Sequence, residues 1–162
     1  MTSPITAAPA RRQPRGYFEI GVFNPKHSVN VGTLMRSAYQ LGAAGVFVIG
    51  NRYKRQSSDT CHTDLHVPLR EFESFDAFKA ARPHGAELVA VESPEYGGQW
   101  LSSFTHPMRS IYLLGSEDAG LPPEIVRQCN RVVSIESLRT PSYNVAVAGS
   151  LVMYHRLASR SV

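Results

Sequence analysis

The stretch Gly45-Val46-Phe47-Val48-Ile49-Gly50 (GVFVIG) decides the fold class of this chain. Between its two glycines every residue is apolar, which is typical of a strand buried on both faces within a parallel sheet. A strand with one face in water would instead alternate between apolar and polar residues. The stretch therefore predicts a sheet that is covered on both sides.

Strand and helix patterns alternate around this stretch. Residues 18–23 (FEIGVF) form a predicted strand, and the helix that follows runs to about Leu41, where Gly42 suits a C-terminal cap. Ser28 or Asn30 can cap the start of this helix. We predict further strands at 67–72, 87–91, 110–114 and 132–135, and helices at 75–82, 122–128 and from about residue 144. The alternation predicts an α/β domain with a mainly parallel sheet flanked by helices, in which ligands bind beyond the carboxyl ends of the strands.

Length and charge divide the chain into a basic tail at 1–16 and one domain at 17–162. The tail has prolines among small residues, which predicts disorder. Three of the 17 basic residues and none of the 13 acidic residues lie in it, so the rest of the chain is nearly neutral despite a net charge of +4. An anionic partner would therefore be met by the tail and by a local basic cluster. The candidate contacts are Arg11, Arg12, Arg15, Arg52, Lys54 and Arg55.

Several classes of protein and site are not expected. Cys61 and Cys129 are the only cysteines, which excludes a disulfide scaffold and suits a cytoplasmic protein. The tail lacks the apolar stretch of a secretory signal, although its arginines make it faintly similar to a transit peptide. No apolar run approaches 18 residues, so no membrane-spanning helix is expected.

The common nucleotide and metal motifs are also absent. The first helix is not opened by G-x-G-x-x-G, and the chain contains no P-loop and no G-x-S-x-G elbow. His62 and His66 stand four residues apart beside Cys61 and Asp64, which is a metal-ligand spacing if the segment is helical. The segment has no convincing helical pattern and lacks the glutamate of H-E-x-x-H, so solvated loop histidines, and no metal, are expected.

Three polar segments follow predicted strands: 30–36 (NVGTLMR), 113–122 (LLGSEDAGLP) and 135–144 (IESLRTPSYN). Each has a local explanation, namely a solvated Arg36, acids that favour a helix N-terminus, and Ser142 or Asn144 as a helix cap. Those explanations do not account for all three segments lying where they could converge at one sheet edge. The last helix is unusual as well, because residues 145–154 (VAVAGSLVMY) carry no charge. Such a helix is buried on more than one side, either between the sheet and a second subunit or in the core of a monomer.

Together the three segments resemble the signature motifs of the SpoU/TrmH family of RNA ribose 2′-O-methyltransferases in the SPOUT superfamily. The ordered set N-x-G-x-x-x-R, L-G-S-E-D-x-G-L and S-x-N-V-A-V-A carries the resemblance, which extends over residues 18–157. It implies a SPOUT fold with a C-terminal trefoil knot, S-adenosylmethionine as the cofactor, and a homodimer formed through the C-terminal helix. The chain is similar to the minimal class that methylates the wobble position of transfer RNA.

The resemblance also implies roles for single residues. Arg36 matches the arginine that acts on the ribose hydroxyl, and the other implied catalytic positions are Asn30, Glu117, Ser142 and Asn144. The implied cofactor positions are Val91, Gly115, Ile135, Leu138 and Ser142. Glu136 stands where the family commonly has proline, so the backbone of this loop is expected to differ.

The implied reaction is an in-line displacement at the methyl carbon, which requires alignment of the ribose oxygen and help in losing its proton. No metal is required, because the leaving group is already cationic. An arginine with a pKa above about 12 is a demanding base, so Arg36 either removes the proton or orients the hydroxyl and the adjacent phosphate. The alternatives are methylation of ribosomal RNA, modification of a base, and an RNA-binding protein without activity.

Overall fold

The computed structural model describes residues 16–51, 53 and 66–159. The strands are β1 (Tyr17–Phe23), β2 (Gly45–Ile49), β3 (Leu69–Phe72), β4 (Glu87–Val91), β5 (Gln99–Trp100), β6 (Arg109–Leu114) and β7 (Arg131–Ser134). The helices are α1 (Ser28–Leu41), α2 (Phe75–Ala81), α3 (Pro123–Val126) and α4 (Val145–Ala158). Short 3₁₀ helices cover Pro94–Tyr96 and Leu101–Ser103.

The seven strands form one sheet in the order β3-β2-β1-β6-β4-β7-β5, and every described strand pair is parallel. In β2, Val46 and Val48 pack in the core on one face, whereas Phe47 and Ile49 pack in the core on the other. The burial of β2 on both faces confirms the prediction from GVFVIG. The α/β class with a mainly parallel sheet flanked by helices is also confirmed.

Helices α1 and α4 pack together on one face of the sheet, and α2 and α3 lie on the other. A Cβ atom at Gly149 would come within 2.5 Å of Leu34, so this glycine allows α4 to approach α1 closely. A hydrogen bond of 2.8 Å between the hydroxyls of Ser150 and Ser37 joins the same two helices. Because the amino end of each helix lies beside the carboxyl ends of the strands, this packing positions the site.

Three of the predicted helix caps are confirmed, and one is wrong. Gly42 ends α1 with a φ of 82°, Ser74 caps α2, and Asn144 caps α4, all as predicted. The start of α1 is different: His27 occupies the cap position and no side chain caps it, so the prediction of Ser28 or Asn30 was wrong. Asn30 does not act as a cap because its amide is bonded to another part of the chain.

The segment 93–108, to which the sequence analysis assigned no helix or strand, contains β5 and both 3₁₀ helices. β5 is two exposed residues long, so no apolar pattern marks it. The trefoil knot depends on how the chain threads, which the strand order does not establish, and it stays a prediction. The disordered tail is a prediction that falls outside the described residues, apart from Gly16. Among the described residues, no helix has the length and apolar character to cross a membrane.

Candidate functional site

A cavity of about 260 Å³ opens where the sequence predicted it, beyond the carboxyl ends of β4, β6 and β7. Its apolar floor includes Val91 and Leu114 at the strand ends, Ile135 just after β7, and Val145 and Ala148 from α4. Four carboxylate-bearing residues also line it, namely Glu92, Glu95, Glu117 and Asp118. No lysine or arginine is among the described lining residues, so the cavity suits a ligand that carries positive charge.

Glu117 connects the turn after β6 to the start of α1. Its Oε1 accepts hydrogen bonds from the Asn30 Nδ2 at 2.7 Å and the His27 backbone N–H at 3.3 Å. Its Oε2 accepts from the Lys26 backbone N–H at 2.8 Å. Beside it, Lys26 and Asp118 form an exposed ion pair. Residues about 90 positions apart in sequence are therefore held together at this edge of the sheet.

These contacts keep Glu117 ionised. Burial alone would raise the pKa of the Glu117 carboxyl, but the hydrogen bonds from Asn30, Lys26 and His27 outweigh burial and lower this pKa below its usual value. The group is thus a fixed carboxylate that accepts hydrogen bonds. It is not poised to donate a proton near neutral pH.

Asn144 continues the same network into α4. Its Nδ2 donates to the Asn30 Oδ1 at 3.0 Å, while its Oδ1 accepts from the Ala146 and Val147 backbone N–H groups at 2.9 and 3.3 Å. The chain of contacts runs from Asn144 to Asn30 to Glu117, with one residue from each of the three polar segments. The structure thus confirms that the three segments converge.

The segment between β7 and α4 forms the outer wall of the cavity through Pro141, Ser142 and Tyr143. The Tyr143 hydroxyl donates to the Glu136 carbonyl at 2.7 Å, which closes this segment into a loop. The Glu136 carboxylate accepts from the Ser102 backbone N–H at 3.1 Å and from the Ser102 hydroxyl. Glu136 therefore ties the loop to the 3₁₀ helix at 101–103, a role that the more common proline could not fill.

Gly115 lines the cavity, but its main constraint is internal. A Cβ at this position would lie 2.1 Å from the Gly120 carbonyl carbon and 2.3 Å from the Leu121 nitrogen. Ser116 and Gly120 pair by backbone hydrogen bonds of 3.3 and 3.0 Å, which folds the acidic turn back onto Gly115. The resemblance implies Gly115 as a cofactor position, and the structure adds that the chain itself occupies the space that a side chain at Gly115 would need.

The structure places the predicted site residues in three groups. Val91, Gly115, Glu117, Ile135 and Ser142 line the cavity, and Asn30 and Asn144 support it from behind. Arg36 and Leu138 are exposed and do not line it. The predicted cationic contacts Arg11, Arg12, Arg15, Arg52, Lys54 and Arg55 fall outside the described residues, as do Cys61, His62 and Asp64. Within the part of the chain that is described, no cluster of residues suited to a metal is found.

Glu92 is a site residue that the sequence interpretation missed. It follows β4 directly, and its carboxylate accepts from the Leu121 backbone N–H at 2.5 Å and from its neighbour Ser93 at 3.0 Å. It thereby holds the far end of the acidic turn against the end of β4. An acidic residue immediately after a buried strand was the signal that could have identified it.

Comparison with known proteins gives a consistent result. The model of the SpoU rRNA Methylase family matches residues 17–154. A 23S rRNA (uridine(2479)-2′-O)-methyltransferase from Streptomyces viridochromogenes is 29% identical over 146 residues, which cover 84% of this chain and 50% of that protein. A structure solved to explain 2′-OH methylation of C/U34 on tRNA aligns with a TM-score of 0.76 and 26% identity, covering 89% of this chain and 95% of that one.

A further solved structure, a SpoU methyltransferase from Streptomyces viridochromogenes in complex with AdoMet, aligns with a TM-score of 0.70 and 23% identity over 97% of this chain and 62% of that one. At this identity the alignment establishes a shared fold. The chain spans 63% and 50% of the lengths of the first two curated relatives it matches, so it corresponds to part of each.

Proposed function

This chain belongs to the SpoU rRNA methylase family, whose model covers residues 17–154, and on that premise we propose that it methylates a ribose 2′-hydroxyl of RNA with S-adenosylmethionine as the donor. The observation that carries the proposal is the hydrogen-bonded chain Asn144–Asn30–Glu117 beside the cavity. Three motifs that are far apart in sequence meet there, as expected if all three serve one ligand.

The residues of the cavity fit this cofactor. Val91, Leu114 and Ile135 offer an apolar surface for a flat ring, and the surrounding carboxylates suit the positive charges of the amino and sulfonium groups. The volume of about 260 Å³ lies near the lower end of small-molecule sites, which are typically about 300–1,000 Å³. When bound, the cofactor supplies a methyl group activated by attachment to a cationic sulfur.

The proposed catalytic residues divide into those that position the site and one that contacts the substrate. Asn144, Asn30 and Glu117 already bond to one another or to backbone N–H groups. We therefore assign them positioning roles. Arg36 differs, because within the described residues no hydrogen bond or ion pair engages its guanidinium. We assign to Arg36 the binding of the ribose hydroxyl and the adjacent phosphate, for which its planar set of donors is suited.

We propose transfer RNA as the substrate. The tRNA-methylation structure supports this choice because the alignment covers 95% of its chain at 26% identity. Ribosomal RNA is the second candidate, favoured by the 29% identity to the streptomycete 23S rRNA methyltransferase. The basic residues in 11–15 and 52–55 are the proposed contacts to RNA phosphates, and a cytoplasmic location belongs to the same proposal.

A homodimer through α4 is also part of the proposal. Val147, Leu151 and Tyr154 occur at i, i+4 and i+7 on α4 and are 46%, 37% and 62% exposed in the single chain. The inner face of the same helix is buried against α1 and the sheet. An apolar outer stripe on an otherwise buried helix supports docking to a second copy.

The test is methyl transfer to defined RNA fractions. Purified protein is incubated with labelled S-adenosylmethionine and with transfer or ribosomal RNA from a strain that lacks the gene, and the nucleosides are then analysed by mass spectrometry. We expect a 2′-O-methyl nucleoside in the transfer RNA fraction. Label only in ribosomal RNA would replace the substrate, label on a base would refute ribose specificity, and no label in any fraction would refute the activity.

A further inference from the structure

One exposed face of α1 carries Arg36 between small and aromatic neighbours. Gly32, Arg36 and Tyr39 follow the spacing i, i+4 and i+7, so they lie along one stripe of the helix. Arg36 and Tyr39 are exposed, and Tyr39 retains 44% of its accessible surface. This stripe differs from the face that packs on α4, because Ser37 makes the contact to that helix.

The connection between β2 and β3 brings two more aromatic rings to the stripe. His66 stacks on Tyr39 with ring centroids 5.1 Å apart and planes inclined by 30°. At the other end, a Cβ at Gly32 would lie 3.3 Å from the Tyr53 hydroxyl, so Tyr53 reaches the helix there. The Tyr53 backbone N–H donates to the Glu71 carboxylate at 2.8 Å, which fixes this residue to β3. Arg36 is thus bracketed by Tyr53 on one side and by the Tyr39–His66 pair on the other.

Core packing does not explain the position of the Tyr39 ring. Tyr39 is not part of either hydrophobic core, and its hydroxyl makes no hydrogen bond among the described residues. A ring that is backed by a second ring and keeps its remaining surface in water is a preformed platform with little conformational freedom to lose. Such platforms stack nucleobases, and they accept any of the bases because each base has a flat aromatic face.

Resting on the proposed function, we propose that Tyr39, backed by His66, stacks an unpaired nucleobase next to the nucleotide whose ribose Arg36 binds. Residues three apart on a helix have Cβ atoms about 5–6 Å apart, so the cation and the platform can serve neighbouring nucleotides. A base within a duplex is already stacked on both sides and is not free to bind such a ring. The platform therefore selects RNA whose target region is a single-stranded loop or an extruded base.

The experiment compares three substitutions at one exposed position: Tyr39→Phe, Tyr39→Leu and Tyr39→Ala, with Gln40→Ala as the control on the same helix. The probes are transfer RNA from a strain that lacks the gene, and a short single-stranded RNA carrying 2-aminopurine, free or annealed to its complement. We expect Tyr39→Phe and Gln40→Ala to bind the transfer RNA and the free single-stranded RNA as the wild type does. Tyr39→Leu and Tyr39→Ala should lose roughly 5- to 100-fold in affinity and lose the quenching of 2-aminopurine.

Thermal unfolding and cofactor affinity of all four variants should stay at wild-type values, since a merely structural role would change them. Wild-type affinity for RNA in Tyr39→Leu would overturn the inference, as would a loss in Tyr39→Phe as large as in Tyr39→Leu. Equal affinity of the wild type for the annealed and the single-stranded probe would also overturn it. Failure of the proposed function is recognised separately, because then the wild type methylates none of the RNA fractions.

Discussion

Glu117 and Arg36, two charged residues proposed to serve one site, differ in how the fold engages them. The Glu117 carboxylate is surrounded by the donors of Asn30, Lys26 and His27, which lower its pKa and fix it in place. The Arg36 guanidinium has no such partner among the described residues. Loss of Glu117 or its partners should therefore disturb structure and cofactor binding together, whereas loss of Arg36 should affect RNA binding and methyl transfer without disturbing the fold or cofactor binding.

We expect Arg36→Ala to abolish methyl transfer while leaving cofactor affinity and thermal stability unchanged. The Arg36 side chain is exposed and makes no hydrogen bond or ion pair with the described residues. Arg36→Lys should be almost as inactive, since a point charge cannot reproduce the planar set of donors. The measurement is a single-turnover assay with saturating RNA, with the exposed Arg127→Ala as the control. Appreciable methylation by Arg36→Ala would remove Arg36 from the mechanism.

The Asn30–Glu117 contact offers a second test. Asn30→Asp replaces the donor facing Glu117 by a second carboxylate, and we expect the free energy of unfolding at pH 7 to fall by about 1–3 kcal/mol. Adding Glu117→Gln restores one donor–acceptor pair with the direction reversed, so the double variant should be more stable than the sum of the two single effects. Additive losses, measured by urea denaturation, would show that the two side chains are not coupled.

Gly115 shows what a motif cannot reveal about a single residue. Its place in L-G-S-E-D-x-G-L indicates a site, but whether a ligand or the chain fills the space beside it depends on how the turn folds. We expect Gly115→Ala to cost more than about 2 kcal/mol and to weaken cofactor binding, because its Cβ would meet the backbone at 2.1 Å. Gly32→Ala is the matched control, since among the described residues only the Tyr53 hydroxyl lies within 4 Å of its Cβ position, at 3.3 Å. Wild-type stability of Gly115→Ala would contradict this account.

At the scale of elements, the sequence predicted what hydrophobic periodicity controls. β2, β4 and α4 were placed within a residue or two, because each contains a continuous apolar run. β5 was missed, because two exposed residues at a sheet edge carry no periodic signal. The start of α1 was misassigned for a different reason: Asn30 has the chemistry of a cap, and only the tertiary fold shows that its amide bonds to Glu117 instead.

The carboxyl half of α4 is fixed by a half-buried polar cluster at the end of the sheet opposite the site. His106 contacts the Tyr112 hydroxyl at 2.6 Å and the His155 ring at 2.8 Å, and Arg156 donates to the same hydroxyl at 3.0 Å. Burial, together with the neighbouring charges of His155 and Arg156, lowers the pKa of His106 to about 3. His106 is therefore neutral in the folded protein, although an unfolded histidine titrates near pH 6.5.

This difference predicts how stability depends on pH. Below about pH 6.5 the unfolded chain binds a proton at His106 that the folded chain does not, so the free energy of unfolding falls as the pH drops from about 6.5 toward 3. His106 contributes a slope of at most about 1.4 kcal/mol per pH unit. We expect His106→Gln to reduce the slope measured by urea denaturation, while the exposed His84→Gln keeps it. An unchanged slope in His106→Gln would show that His106 binds a proton equally in the folded and unfolded chain, which would contradict the lowered pKa.

At the scale of the whole molecule, the site is assembled from strands that are distant in sequence. β6 lies between β1 and β4, and β4 lies between β6 and β7, so the segments after β4, β6 and β7 meet beside α1. The rule for parallel sheets predicted this edge, but the sequence could not give the strand order, which depends on pairing between distant segments. The trefoil knot implied by the resemblance stays a prediction, and periodicity could not have supplied it, because threading leaves no local pattern.

The apolar stripe of α4 provides the test of assembly. Val147, Leu151 and Tyr154 are exposed in the single chain, so a charge placed among them does not enter the core of one subunit. In a dimer closed through this stripe, Leu151→Glu would bury an unpaired charge at a cost of several kcal/mol.

We expect the wild type to sediment as a dimer at micromolar concentration and Leu151→Glu as a folded monomer with wild-type circular dichroism. Met108→Glu changes an exposed apolar side chain that is not on α4, and the contact from Arg156 to the Met108 carbonyl needs no side chain at 108, so this variant should remain dimeric. A monomeric wild type would refute the dimer. Dissociation of Met108→Glu together with Leu151→Glu would contradict an interface limited to the stripe, because a second surface would then also control assembly.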